Sequence, residues 1–586
     1  MKLLALTILS ILSCATYGEE RPNFIFIYTD DHGWPDIGSA GVYPDLKTPH
    51  LNALAQSGIR ATNGYSTAPQ CVPSRAGLLI GKYQNRFGLE DNKQSLNGFN
   101  AELTIAERLK QTGYTTAQIG KWHLGNGKDI GDHGFDYFYN KNRNAPGPSN
   151  FDRKGRHMPV NLLPHQSYHL DDCSEMAVTF IRKHRNDPFF LYLAYRAPHV
   201  PLDAPKKYLD RFPGEMPERR RQALAMIAAM DDGVGSIVSE LKKHSLTQKT
   251  LIFFIGDNGA PLKIHKIDAP GGGPGWDGSL NKPMNGEKGM LTEGGIRVPF
   301  LISWPGTLPS GKTYDHPVIA LDATTTAIHL AGLKTSDTDG INLIPHLKND
   351  HEPKRTLYWR WISQSAIREG DWKLLQGGTR QYLFNLKSDP GELNNLAKQH
   401  PEIVARLHQK LDRWSNQLKP PGLGNGKMAT TWNQYFDHYL DGKPAPRPSK
   451  RTGERNSPAL TRNANNRLVD GVLQINPIPG HKQAPFLVRN QIRLSGPFSA
   501  SIKILSPKDG TLGISWRLEG EKDFNSGKTA SLTFKGSPEW QTHTIEVPAK
   551  GTSIHLRFHL PLHQVHLGEI VMKDSKSSLT WQPGKP

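Results

Sequence analysis

The sequence has 586 residues and a formal net charge of +18, with hydrophobic and charged fractions of 36% and 22%. These fractions are typical of a soluble globular protein, and the length predicts at least two domains. No helix-turn-helix, zinc-finger or aromatic RNA-binding signature accompanies the charge, so we expect no nucleic-acid partner and attribute the charge to surface solubility or an anionic substrate.

The N-terminus, MKLLALTILSILSCATYGEE, predicts a signal peptide over residues 1–18. One lysine precedes an apolar run from Leu3 to Leu12, and small residues suit cleavage after Gly18. Alternatively, Ile-Leu-Ser-Cys resembles a bacterial lipobox, in which Cys14 would carry a lipid anchor. No other stretch is apolar enough to span a bilayer, so we expect a periplasmic or secreted protein. Only Cys71 and Cys173 then remain, so the fold does not depend on disulfides. A Cys71–Cys173 bridge is the alternative, but the surroundings of Cys71 argue against it.

Four short apolar runs predict strands buried on both faces. They are Asn23–Tyr28, Thr115–Ile119, Phe189–Ala194 and Thr250–Ile255. Helical patterns lie between them: one opening at Thr48-Pro49, one opening with a capping box at Thr104–Glu107, and one within Ala223–His244. Strands that alternate with helices predict an α/β domain around a mostly parallel sheet, over residues 21–418.

The sequence changes character after this domain. Residues 419–460 are rich in proline and glycine and predict a linker. Beyond them, Thr511–Leu518 and Ser553–His559 alternate apolar and polar residues, as half-buried strands do. We therefore predict an appended β-sandwich over residues 461–586, with Trp516 in its core and Trp540 exposed at the start of a strand.

Polar residues follow each of the four predicted strands directly. In chain order these residues are Asp30 and Asp31, Lys121 and His123, His199, and Asp257 and Asn258. Any one of them alone is most often a helix cap, turn or loop residue. Because ligands bind outside the carboxyl ends of strands in open α/β sheets, their recurrence there indicates one shared site.

Four of these residues offer hard oxygen ligands. Asp30, Asp31 and Asp257 supply carboxylates and Asn258 supplies an amide carbonyl, a set that suits Ca²⁺ or Mg²⁺ rather than a soft metal. Three crowded carboxylates would repel one another without a divalent cation. With the cation, the site could hold and polarise an anionic ester.

Cys71 is the candidate nucleophile. Pro73 and Ser74 predict the start of a helix, which places Cys71 near a helix N-terminus, where anions are favoured. Arg75 lies one helical turn further along. Cysteine is often simply a buried apolar residue, but a following proline, serine and arginine make a poor core context.

The run Cys-x-Pro-Ser-Arg, followed by Gly-Lys-Tyr at residues 81–83, resembles the signature of the type I sulfatases of the alkaline phosphatase superfamily. In that family the cysteine is oxidised to formylglycine. The resemblance covers Arg21 to about Leu418, and it implies an alkaline-phosphatase-like fold with a smaller C-terminal subdomain from about residue 355. Further motifs follow in the family's order: Asp30-Asp31, Gly120–Gly125, Ala197–His199, Gly256–Gly259 and Gly286–Pro299.

The resemblance implies a role for each site residue. The residue at Cys71 would join the four oxygen ligands around one divalent metal, with Ca²⁺ favoured over Mg²⁺. Arg75 and Lys121 would hold the formylglycine hydrate. Lys288 and His199 would contact the sulfate, one of them protonating the leaving oxygen, and His123 would assist sulfate release. A formylglycine-generating maturation enzyme is implied as a partner.

Export, positive charge and the predicted sandwich favour a sulfated glycan over a small aryl sulfate as the substrate of this predicted sulfuric ester hydrolase. One alternative is a phosphatase or phosphonate monoester hydrolase of the same superfamily. A second is a glycan-binding protein with weak or lost catalysis. A loop containing Trp276 and Asn281 supplies two candidate substrate contacts, and His133 and His169 are candidates for lining the cleft.

Overall fold

A computed structural model of the chain describes residues 21–262, 278–420, 433–444, 460–469, 472–478, 484–519, 521, 524 and 527–583. The predicted signal peptide, the Cys14 lipobox, Trp276 and most of the predicted linker lie outside the described residues. The chain divides into two units, Met1–Arg447 and Pro448–Pro586, and each is described here by itself. No helix of the described ranges has the length and apolarity needed to cross a membrane.

The strands of the first unit belong to one large sheet and two small ones. They are β1 (Asn23–Asp30), β2 (Ile59–Ala61), β3 (Gly64–Tyr65), β4 (Thr115–Gly120), β5 (Tyr137–Asn140), β6 (Gly147–Phe151), β7 (His157–Leu163), β8 (Phe189–Pro198), β9 (Thr250–Gly256), β10 (Phe300–Ser303), β11 (Lys312–Tyr314), β12 (Val318–Ile319), β13 (Thr356–Trp361), β14 (Gln364–Glu369), β15 (Trp372–Gly377) and β16 (Arg380–Asn385). The helices are α1 (Pro49–Gln56), α2 (Cys71–Ile80), α3 (Asn97–Asn100), α4 (Ile105–Lys110), α5 (His169–Lys183), α6 (Lys206–Leu209), α7 (Glu218–Lys243), α8 (Glu293–Ile296), α9 (Ala320–Leu330), α10 (Ile344–Asn349) and α11 (Pro401–Ser415).

The large sheet has the order β11-β2-β10-β9-β1-β8-β4-β5-β6-β7. Its centre, from β9 to β5, is parallel, which confirms the predicted α/β fold. Antiparallel pairing of β10 with β9 and of β6 with β5 makes the whole sheet mixed. Helices cover both faces of the sheet, so alternate residues of β1 belong to two different hydrophobic cores, one containing Ile25 and Ile27 and the other Phe24 and Phe26.

The predicted helices form, with two differences at their N-termini. Thr104 and Glu107 make the predicted capping box before α4. The long helix α7 begins at Glu218 rather than at Ala223, because its first turn is polar and hides the apolar periodicity. Helix α2 begins at Cys71, two residues before the predicted start, since Pro73 fits anywhere in a first turn, where its missing N–H costs no hydrogen bond.

A four-stranded antiparallel sheet, β13-β14-β15-β16, packs with helix α11 in the region of the predicted smaller subdomain. A fully buried ion cluster links this sheet to helix α8. The Lys373 ammonium on β15 lies 2.8 Å from a carboxylate oxygen of Glu293 and 2.8 Å from one of Glu392, and all three side chains are buried. Lys373 therefore compensates both carboxylates, and Arg297, 3.3 Å from Glu293, is a second cation for that residue.

Replacing Lys373 by methionine is expected to destabilise the first unit by about 3–5 kcal/mol, because the buried Glu392 loses its paired cation and the buried Glu293 is left with Arg297. Chemical unfolding of the purified variant measures this loss. The matched control is Lys410→Met, which removes a partly exposed ion pair with Glu369 and should cost less than about 1 kcal/mol. Equal losses in the two variants would show that burial of the Lys373 cluster is irrelevant to stability.

The second unit is the predicted β-sandwich. Its strands are β17 (Leu460–Arg462), β18 (Ala464–Val469), β19 (Val472–Pro477), β20 (Phe486–Ser495), β21 (Phe498–Ser506), β22 (Gly510–Leu518), β23 (Thr529–Phe534), β24 (Ser537–Val547), β25 (Thr552–His559), β26 (Val565–Lys573) and β27 (Ser578–Trp581). One sheet has the order β17-β20-β25-β22-β23; the other has the order β18-β19-β26-β21-β24, with β27 paired to β26.

The core face predicted for β22 forms at three of its four apolar residues, whereas Leu518 is only half-buried, and the alternation predicted for β25 is interrupted. Leu512, Ile514 and Trp516 are buried in the core, as predicted. In β25, Ser553 is buried whereas Ile554 is only half-buried. The register of β25 against β22 shifts at this point, so Ile554, which was predicted to face the core, does not point into it.

Candidate active site

The carboxyl ends of four parallel strands bring the predicted polar residues together. Asp31 follows β1, Lys121 follows β4, His199 follows β8, and Asp257 follows β9. The backbone N–H of Asp31 donates to Asp257 Oδ1 at 3.0 Å, which joins the ends of β1 and β9 directly. The side chains of Lys121 and His199 reach the aspartates of β1 from the other side of that strand.

Cys71 occupies the first position of helix α2, after an extended Gln70. Its Sγ lies 3.1 Å from Lys288 Nζ and 3.9 Å from Asp31 Oδ1. Cys71 and Cys173, the cysteines of the described ranges, are both buried and unpaired. Burial raises the pKa of the Cys71 thiol to about 12 against the opposing charges of Lys121 and Lys288, so the unmodified side chain is a neutral thiol.

Three buried cations are matched with the three aspartates. Lys121 Nζ lies 2.6 Å from Asp30 Oδ2, and Arg75 Nη2 lies 2.8 Å from Asp257 Oδ2. The Lys288 ammonium contacts Asp31 Oδ1. Burial alone would raise the pKa of Asp30, but Lys121, His199 and Arg75 hold it well below its usual range. Each of the three aspartates is therefore paired with one buried cation.

The oxygen atoms of this cluster fit a hard divalent cation. Asp30 Oδ1 and Asn258 Oδ1 are buried and accept no hydrogen bond from the described residues, an arrangement that is costly unless another group binds there. One candidate ligand atom from each of Asp30, Asp31, Cys71 and His199 lies within 4.8 Å of the others. The buried oxygens of Asp30 and Asn258 are therefore available to bind a cation.

Asp257 is arranged differently from the other predicted ligands. Its Oδ1 accepts a hydrogen bond from the Asp31 N–H, and its Oδ2 accepts one from the Arg75 guanidinium. Burial and the neighbouring Asp30 carboxylate raise the pKa of Asp257, since the protein cations do not fully offset the crowded negative charge. A divalent cation would relieve this repulsion.

The two site histidines have different environments. His199 Nδ1 lies 2.6 Å from the carbonyl of Val200, which can only accept, so Nδ1 carries a proton and Nε2 faces Asp31 Oδ2 at 3.5 Å. His123 is exposed, yet crowding by protein atoms and the charges of Lys121 and Arg75 lower its pKa to about 3. It is therefore a neutral imidazole at neutral pH.

Two site residues have strained backbones. Asp31 has φ of 58° and His123 has φ of 62°, values in the left-handed region that non-glycine residues seldom adopt. Such strain collects at functional sites, because the surrounding structure must hold the residue in place. The ends of β1 and β4 are thus shaped to aim these side chains rather than to minimise local energy.

Of three side candidates, Asn281 and His133 have contacts that account for them without a ligand, whereas Nε2 of the buried His169 has no hydrogen-bond partner among the described residues. The amide of Asn281 exchanges hydrogen bonds with the backbone of Ala260 and donates to Gly286 O, so the interpretation of Asn281 as a substrate contact is wrong. His133 packs against Phe99 and Trp122. His169 is buried and bound through Nδ1 to Asn144.

Sequence reasoning missed the aromatic residues that hold Arg75. The Arg75 guanidinium lies over the ring of Tyr28 at 5.4 Å, and its Nη1 donates to the Tyr192 hydroxyl at 3.3 Å. Tyr28 and Tyr192 each stand in an otherwise apolar strand. A phenolic oxygen inside a buried strand needs a partner, and that requirement was the available signal.

Comparisons with known proteins agree with this geometry. The Sulfatase family model matches residues 22–333, and the model described as N-sulphoglucosamine sulphohydrolase, C-terminal, matches residues 286–417. The chain is 33% identical to N-acetylgalactosamine-6-sulfatase of Rattus norvegicus over 63% of this chain and 74% of that protein. It is 27% identical to N-acetylgalactosamine-6-O-sulfatase of Bacteroides thetaiotaomicron over 67% and 93%. The solved structure of Ps i-CgsB in complex with k-i-k-neocarrahexaose has 30% identity and a TM-score of 0.61, over 70% of this chain and 97% of that one.

Proposed function

The chain belongs to the sulfatase family, and we propose that it hydrolyses sulfate esters of a sulfated glycan with one divalent cation and a formylglycine formed from Cys71. The observation that carries the proposal is the position of Cys71. It lies at the start of α2, in contact with Lys288 and close to Asp31, where the ends of four strands meet. This is an anion-binding position with a cation site beside it.

The charge of the cluster supports an anionic substrate. Three buried aspartates balance Arg75, Lys121 and Lys288, so a divalent cation would leave the site with a net positive charge. A sulfate ester is a monoanion whose non-bridging oxygens can share that charge. Asp30, Asp31, Asp257 and Asn258, with the residue at position 71, are the proposed ligands, and Ca²⁺ is the proposed metal.

The chain's own residues would bind the ester and move its protons. Arg75 and Lys121, held by Asp257 and Asp30, would orient the oxygens of residue 71. The hydrated aldehyde supplies one hydroxyl for attack on sulfur and a second for sulfate release. Lys288 would bind the sulfate, His199 Nε2 or the Lys288 ammonium would give a proton to the leaving oxygen, and the neutral His123 would accept one.

The substrate class rests on the relatives and on the charge. Two relatives are named as N-acetylgalactosamine-6-sulfatases, and one similar solved structure is a complex with k-i-k-neocarrahexaose. A net charge of +18 favours association with a polyanion. We propose export to the periplasm or outside the cell, where such polymers are met, and maturation of Cys71 by a formylglycine-generating enzyme of the host.

Two measurements on protein from its native host test this function. An aryl sulfate should be hydrolysed and the matching aryl phosphate should not, whereas the reverse would favour a phosphatase. The tryptic peptide of residues 61–75 should have lost one sulfur and two hydrogens and gained one oxygen, because –CH₂SH becomes –CHO. Full sulfatase activity with an unmodified thiol would overturn the proposed nucleophile.

His199→Ala is expected to slow hydrolysis of esters with poor leaving groups by about 10²–10⁴-fold, and of activated aryl sulfates far less, because only a poor leaving oxygen needs the proton. Rates over a series of leaving groups measure this dependence. His50→Ala removes an exposed histidine and should leave the series unchanged. If Lys288→Ala makes the rate depend more steeply on the leaving group and His199→Ala does not, the proton comes from Lys288.

A further inference from the structure

The outer face of one sandwich sheet carries an exposed aromatic residue next to a lysine. In the pairing of β21 with β24, Lys503 is opposite Thr542 and Ser501 is opposite Thr544. Trp540, two residues before Thr542, is on the same face and 39% exposed. The inward residues of these strands, such as Ile502 and Ile545, are buried in the core, so this face points to solvent. We call the five outward residues the Trp540 platform.

The platform holds its lysine in a defined place. The Lys503 ammonium lies 5.7 Å from the centre of the Trp540 ring. Its aliphatic stem runs along Gly568 of β26, where a Cβ would approach the lysine carbons to 3.1 Å. A Cβ at 568 would require the lysine stem to shift by a few tenths of an ångström. Glycine at this position therefore gives the stem room to lie against β26.

The charge around the platform fits an anionic ligand. Residues 448–586 contain 19 Lys and Arg against 10 Asp and Glu. Among the described residues no carboxylate forms an ion pair with Lys503, although Glu569 is exposed on the neighbouring strand β26 and Glu546 is exposed two residues beyond Thr544 on β24. The Ser501 and Thr544 hydroxyls, 2.8 Å apart, add hydrogen-bonding groups to the same face. An unneutralised ammonium beside an indole and hydroxyls is thus available to a ligand.

We propose that the Trp540 platform is a binding site for a sulfated polysaccharide, separate from the catalytic cluster. The indole would pack against the apolar face of a pyranose ring, and the Lys503 ammonium would pair with an ester sulfate of the same or the next sugar. The hydroxyl-bearing residues would bind sugar hydroxyls. The site would keep the polymer bound to this chain whether or not the active site hydrolyses it.

Retention of the full-length chain in gels containing a sulfated galactan tests the proposal. Trp540→Ala and Lys503→Gln should each weaken binding by about 3–10-fold, the range expected from one stacking or cation contact. Trp540→Phe should retain most of the binding, which separates loss of the ring from misfolding. Glu569→Gln should strengthen binding, because it removes an exposed carboxylate from β26, the strand that pairs with the strand of Lys503.

Lys576→Gln is the charge-matched control, since it removes an exposed lysine from the turn between β26 and β27. Equal weakening by Lys503→Gln and Lys576→Gln would reduce the effect to net charge and overturn the proposal. Undiminished binding by Trp540→Ala, or equal binding to the chemically desulfated polymer, would do so too. Hydrolysis of a small aryl sulfate should be unchanged in all these variants, so failure of the active site and failure of the platform give different results.

Discussion

Cys71→Ala is expected to reduce hydrolysis of an aryl sulfate by at least about 10³-fold, because it removes the thiol whose oxidation would generate the formylglycine that bears the proposed nucleophile. The fold should persist, since the change deletes a single sulfur whose polar contacts are with Lys288 and Asp31. Steady-state turnover and thermal unfolding of the purified variant, made in the host that matures the wild type, measure the two effects separately.

The second buried cysteine provides the matched control. Cys173 lies in α5 and packs in the hydrophobic core that also contains Ile25 and Ile27. Cys173→Ala should lower the unfolding temperature by leaving a small cavity, yet keep sulfatase turnover close to that of the wild type. The nucleophile assignment fails if Cys71→Ala keeps wild-type turnover, or if both alanine variants fold and lose activity equally.

The centre of the fold was predictable because its signals are local. The strands β1, β8 and β9 are buried at almost every position and each contains an unbroken apolar run, since helices cover both faces of the sheet, and the sequence shows these runs directly. The polar residues that follow them are adjacent in sequence to the strand ends. Parallel strands then bring those ends together, so a one-dimensional pattern predicted a three-dimensional cluster.

The edges of the sheet were not predictable by the same argument. In β7 most residues are exposed, so no burial pattern marks it as a strand. The four residues of β10 are too few to show a periodicity. Such strands exist because the neighbouring strand offers unpaired backbone groups, and that information lies in the fold and not in the local sequence.

Contacts between distant residues limited the prediction of the site as well. The sequence placed Arg75 near Cys71 by helical spacing, but its partners Tyr192 and Asp257 are 117 and 182 residues away. Lys373 looks like a surface lysine in the sequence, whereas it is buried between Glu293 and Glu392. A charged residue is stable in the interior only where an oppositely charged or hydrogen-bonding partner lies beside it. These partners come together only after the large sheet and the smaller sheet have packed.

Removing divalent cations with a chelator is expected to abolish sulfatase turnover and lower the unfolding temperature, and added Ca²⁺ should restore both. Asp30 Oδ1 and Asn258 Oδ1 are buried without a hydrogen bond from the described residues, so a cation binds the folded state and not the unfolded one. At a hundredfold excess over the dissociation constant, the stabilisation is about 2.7 kcal/mol. Calorimetric titration of Ca²⁺ into the chelated protein measures the affinity without relying on activity.

Asn258→Ala removes one of these oxygens and should weaken Ca²⁺ binding by at least about tenfold, with a smaller gain in unfolding temperature on adding Ca²⁺. The control lies at the second acidic cluster of the first unit, formed by His50, Asp231 and Asp232. There Asp231 is occupied in accepting the backbone N–H groups of His50 and Leu51 at the start of α1, and Asp232 pairs with Arg211. Because those carboxylates already have partners, Asp232→Asn should leave the affinity for Ca²⁺ unchanged. If Asp232→Asn weakened Ca²⁺ binding and Asn258→Ala did not, the metal site could not be assigned to the strand ends. The buried oxygens of Asp30 and Asn258 would then have no explanation.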